Sequence, residues 1–189
     1  MVPSAVINEA ILFTTFLAMR GLVQRTPKEK LPENFRYFTV LSNLFCALTA
    51  LILLVCELFG AMPAWAVALK YMGAAAVTVT FLTVFLYLLP VTRSLDGLLR
   101  GAPEFIMHVV TPVLAIFSFL FFENNEMSVW LIPLALVPVL LYGWLYFNRV
   151  VVKKAWDDMY GFNKTGKWQL SFGLMTAGTI AVAVLLYVI

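Results

Sequence analysis

The stretch YFTVLSNLFCALTALILLVCELF, Tyr37 to Phe59, holds one charged residue, Glu57, in 23 positions. At about 1.5 Å per residue, a helix over it reaches about 35 Å, enough to cross a hydrocarbon layer of about 30 Å. Read outward from this segment, apolar runs parted by charged or Gly/Pro breaks predict six helices, at about 4–22, 37–59, 65–90, 104–122, 129–147 and 168–189. The first lacks a basic leading region and a small-residue cleavage site, so it reads as a retained helix, although Asn8 and Glu9 interrupt it.

Composition agrees. The chain is 62% hydrophobic and 12% charged, with mean hydropathy +0.93. One soluble core of 189 residues could not hide that much apolar surface. The expectation is one domain over 1–189, an all-α, polytopic bundle of six transmembrane helices with almost no soluble portion and no nucleic-acid partner.

Charge orients the bundle. RGLVQRTPKEKLPENFR carries five basic residues, VTRSLDGLLRGAP two, and NRVVVKKAWDDMYGFNKTGK five, whereas GAMPA and ENNEMS carry none. With six crossings the basic loops share one side, leaving only Lys70 elsewhere among 13 Lys and Arg residues. That pattern predicts these loops in the cytoplasm and both termini facing away from it, as in a bacterial plasma membrane. The last loop also spaces Lys153/Asp157 and Lys154/Asp158 at i,i+4, with Val152, Trp156 and Met159 on another face, which predicts a short interfacial helix.

Polar residues inside membrane helices should face the bundle interior or a wet cavity. Thr39, Asn43 and Cys46 form one stripe by i, i+4, i+7 spacing, and Glu104, His108, Thr111 and Ala115 form another. Both helices start from the basic side, with Thr39 and His108 at similar depth, so the pair can meet if the helices are neighbours. A hydroxyl needs a base to become a nucleophile, and a desolvated imidazole stays neutral and basic. Glu104 could orient the ring, Asn43 could donate to an oxyanion, and Arg36, Arg93 and Arg100 could hold a carboxylate. Each residue has a second reading. Thr39 suits a backbone bond, His108 interhelical glue, Asn43 packing, Glu104 an N-terminal acid and the arginines topology signals. The stripes equally suit non-catalytic binding or transport of a lipid or small hydrophobic molecule. Cys46 and Cys56, ten residues apart along one helix, are about 15 Å apart, too far for a disulfide. One histidine with no nearby cysteine predicts neither metal nor other cofactor.

RYFTVLSN, followed some 65 residues later by FIMHVVTP, resembles the androgen-induced protein family of integral membrane hydrolases and its bacterial six-helix branch. The matching positions are Phe38-Thr39 and His108 with Pro112. DMYGFNKTGKW resembles the aromatic element before that family's last helix, with Gly161 in place of proline, and Ser118 stands where bacterial relatives carry an acid. The resemblance implies a hydrolase of fatty acid esters of hydroxy fatty acids, with Thr39 as nucleophile, His108 as base and a membrane lipid or fatty-acyl ester as substrate. Oligomeric state is left open.

Overall fold

A computed structural model describes residues 3–94, 99, 101–123 and 127–189, and among these every regular element is helical. Six helices are long and apolar enough to span a membrane: α1 Pro3–Arg25, α2 Phe38–Leu58, α3 Ala64–Val91, α4 Ala102–Glu123, α5 Val129–Val152 and α6 Trp168–Val188. The chain is a multi-pass membrane protein. Its outer surface carries the large apolar side chains that lipid demands, among them Phe13, Phe16, Leu86, Trp130, Leu141 and Trp144.

Small residues put α3 at the centre. Ala66, Gly73, Ala74, Ala75 and Ala76 are buried there, and α3 packs against α2, α4, α5 and α6, while α1 packs against α2 and α4. Small side chains allow this closeness, because apolar helices in lipid associate by backbone approach and polar contacts rather than by hydrophobic burial. Tyr71 spans α3 and α6 by donating to Ala183 O at 2.8 Å. Ser42 of α2 shares a 2.8 Å bond with Thr80 of α3.

Away from the basic loops, α1, α3 and α4 are tied by a buried polar cluster. Lys70 Nζ lies 3.6 Å from Glu123 Oε2, with both side chains wholly enclosed. Glu123 Oε1 accepts from Ser4 (2.9 Å), Asn8 (2.7 Å) and Ser118 (2.7 Å), and Lys70 donates to Asn8 Oδ1. A charge so placed is tolerated only when paired and hydrogen-bonded.

Prolines widen two helices. Pro112 has no N–H for the carbonyl of His108, and the Thr111 N–H reaches back to Ile106 O, so Ile106–Val110 forms a π turn. Pro90 has the same effect in α3, where the Leu89 N–H goes to Val84 O.

The interfacial helix predicted between α5 and α6 does not form. Residues 153–167 run as an irregular strap, with Lys154 and Gly161 in the left-handed region at φ 50° and 69°. Asp158 does not pair with Lys154. It accepts from Tyr146 Oη and from the Asn163 N–H, and these tertiary bonds replace the helical ladder. Gly161 holds a φ that proline, whose ring fixes φ near −65°, could not adopt.

Candidate active site

The two stripes come together at the basic end of the bundle. Thr39, half-buried in the first turn of α2, places its Oγ1 3.3 Å from Nε2 of the buried His108. The pair follows from Pro112. Because the Thr111 N–H bonds Ile106 O, the neighbouring Met107 carbonyl loses its usual helical donor. The side-chain amide of Asn43 takes that place, donating to Met107 O at 3.1 Å and to Thr39 O at 2.8 Å. One buried amide thus ties α2 to α4 beside both members of the pair. Asn43 is therefore not the oxyanion donor expected from sequence, since its amide hydrogens are engaged with backbone carbonyls.

Glu104 also departs from expectation. Its carboxylate is gripped at both oxygens by the Arg25 guanidinium, with Nη1 to Oε2 at 2.7 Å. Close packing of α1 on α4 brings them together: a Cβ on Gly21 would lie 2.7 Å from the Pro103 ring. Thr111, one turn beyond His108, is fully buried, and its hydroxyl has no hydrogen-bond partner among the described residues. Arg36 and Arg93 do not reach the pair. Arg36 lies 3.4 Å from Glu33 and over the Trp156 ring, and Arg93 is an exposed residue ending α3 at φ 51°. Arg36 stands just before α2 and Arg93 just after α3, and neither lines the cavities that meet Thr39. Arg100 lies outside the described residues.

Two residues missed in the sequence complete the site. Arg25, in the last turn of α1, is one; a basic residue at a helix end on the side where α4 begins was the available signal. Tyr160 of the strap is the other. Its hydroxyl accepts the Phe38 N–H at 2.9 Å, capping α2 across the fold, and also contacts the backbone and hydroxyl of Thr39. Burial pushes the Tyr160 phenol above the usual tyrosine range, and the bond from the Phe38 N–H only partly offsets this. It therefore remains an O–H donor at neutral pH.

Thr39 stands between two cavities. One, of about 270 Å³, is the more polar and is lined by Arg25, Asn34, Tyr37, Thr39, Glu104 and His108, with Leu22, Val40 and Met107. The other is a slot of about 20 Å³, lined in part by Thr39, Thr80, Thr83, Tyr160, Phe162 and Met175. Thr83, Phe162 and Met175 also line an apolar groove of about 220 Å³ between α3 and α6. Among the described residues, no group of three His, Cys, Asp or Glu side chains converges on a point that could hold a metal ion. Family models, curated proteins and solved structures contain no match to the chain.

Proposed function

We propose that this protein is an intramembrane lipid-ester hydrolase in which Thr39 is the nucleophile and His108 the general base. The observation carrying this reading is the 3.3 Å approach of Thr39 Oγ1 to His108 Nε2, at a point lining both a polar cavity and an apolar slot. His108 takes the Thr39 proton as Oγ1 adds to the ester carbonyl carbon. The Tyr160 O–H stabilises the oxyanion that forms. Collapse breaks the bond to the alcohol oxygen, which leaves with the proton from His108, and an acyl-threonine remains. Water entering the polar cavity gives a proton to His108 and adds to the acyl carbon. Thr39 leaves with that proton, releasing the fatty acid. The order and spacing of the motifs resembling androgen-induced hydrolases support the same roles.

The six spans and their basic loops support a plasma-membrane protein whose site lies at the cytoplasmic edge, with both termini on the far side. A second reading, lipid binding without chemistry, is favoured by a separate apolar groove of about 300 Å³ lined by Phe45, Met72, Val137 and Leu141 among others. An activated phosphonate separates the two. Intact mass should show one adduct on the wild type and none on Thr39→Ala or His108→Ala. A folded wild type that stays unlabelled leaves the binding reading.

A further inference from the structure

We infer that the substrate is an ester of one long fatty acid with a small, uncharged polyhydroxylated alcohol, of the monoacylglycerol kind. This rests on the Thr39/His108 reading and follows from which cavity each residue lines. The group that takes the proton from Thr39 must return it to the departing alcohol oxygen, so the alcohol lies on the His108 side. His108 lines the polar cavity but not the slot, whereas Tyr160 and Met175 line the slot but not the polar cavity. The alcohol therefore occupies the polar cavity. The acyl chain runs through the slot and past Thr83, Phe162 and Met175 into the groove between α3 and α6. The slot is narrow, and Met175 is the flexible side chain that can widen it.

The polar walls define the alcohol. Arg25 and Glu104 neutralise each other, and Asn34, Tyr37 and His108 add donors and acceptors without fixed charge. A second alkyl chain laid against this surface would take the ion pair and the amide out of water with nothing to replace it. Hydroxyl groups replace it. An anionic head would find its guanidinium already held by Glu104. A glycerol unit displaces roughly four waters' worth of volume, about 120 Å³, within a cavity of about 270 Å³. The reaction consumes one water and breaks the ester C–O bond, yielding a fatty acid and the free polyol. Along the groove, Gly178 sets the room for the chain, because a Cβ added there meets nothing within 4 Å.

The test uses full-length protein in nanodiscs, with phosphonate labelling of the same sample as the check on the nucleophile. Supplied at equal concentration are 1-oleoylglycerol, its octanoyl analogue, oleoyl lysophosphatidic acid and a branched ester of oleic acid with hydroxystearic acid. The expected result is that 1-oleoylglycerol exceeds the branched and phosphorylated esters by about tenfold or more in kcat/KM. Gly178→Phe should lower the oleoyl-to-octanoyl ratio about tenfold, the ratio being taken on protein that the phosphonate still labels. Labelled protein that prefers the branched or phosphorylated ester overturns the inference and leaves the nucleophile in place, as does an unchanged chain-length ratio in Gly178→Phe. Unlabelled wild type overturns both.

Discussion

The link between Pro112 and Asn43 predicts an energetic coupling that a double-mutant cycle can measure. Asn43→Ala removes the amide bridging Met107 O and Thr39 O. Hydrogen bonds between membrane helices average about 0.6 kcal/mol and reach about 1.7. Stripping a buried carbonyl of its donor adds about 1–3 kcal/mol, so the single variant should lose about 2 kcal/mol. Pro112→Ala restores an N–H at position 112 and lets the turn rewind, returning the Thr111 N–H from Ile106 O to Met107 O. In that background the Met107 carbonyl no longer needs Asn43, and Asn43→Ala should cost about 1 kcal/mol less. Rewinding also turns the residues before the π turn by up to about 100° relative to those after it. Pro112→Ala alone should therefore draw His108 off Thr39 and slow phosphonate labelling about tenfold or more. Reversible unfolding in detergent micelles gives the four stabilities, and time-resolved intact mass gives the labelling rates. Additivity within about 0.5 kcal/mol, together with wild-type labelling of Pro112→Ala, would refute the reasoning.

Three further outcomes are expected. Lys70→Met or Glu123→Gln, each leaving a charge alone among α1, α3 and α4, should lower unfolding stability by about 3–5 kcal/mol, and the double change to Met should recover much of that; thermal unfolding of the three variants checks it. Tyr160→Phe should reduce ester turnover about 100-fold through loss of the oxyanion donor, with the Thr39–His108 contact intact by crosslinking or structure. Because the Tyr160 pKa is raised on folding, its contribution to stability is complete below the ordinary tyrosine value of about 10. It is lost as pH climbs through the higher folded value. Above pH of about 10, wild type should therefore lose stability more steeply than Tyr160→Phe, as unfolding titrations at pH 9 and pH 11 would show.

The six spans were legible because each of them depends on local composition. The alternation of basic loops with loops free of Lys and Arg supplied a count independent of hydropathy. The approach of Thr39 to His108 was legible for a related reason: both helices begin on the same side, and rise per residue converts position into depth. The partners of those residues were not. Nothing in the spacing of Glu104 shows that Arg25, 79 positions away, holds its carboxylate. Asn43 read as a donor facing the cavity because the π turn that frees Met107 O depends on how Pro112 redistributes hydrogen bonds. Lys70 stood out as the one Lys or Arg outside the three basic loops, yet Ser4, Asn8, Ser118 and Glu123 gather around it only when α1, α3 and α4 pack. The strap misled for a physical reason. Its i,i+4 charges suit a helix, but Asp158 gains more from Tyr146 and the Asn163 N–H, and Gly161 takes a φ that ends any helix there.

The central claim is that Thr39 carries the acyl group. The direct measurement is an acid quench of wild-type protein within its first turnover of p-nitrophenyl oleate, followed by peptide mass mapping. An oleoyl adduct on Thr39, matched by a stoichiometric burst of nitrophenol and missing from Thr39→Ala and His108→Ala, is the predicted result. Steady turnover with no adduct on Thr39, or turnover that survives Thr39→Ala unchanged, would contradict it.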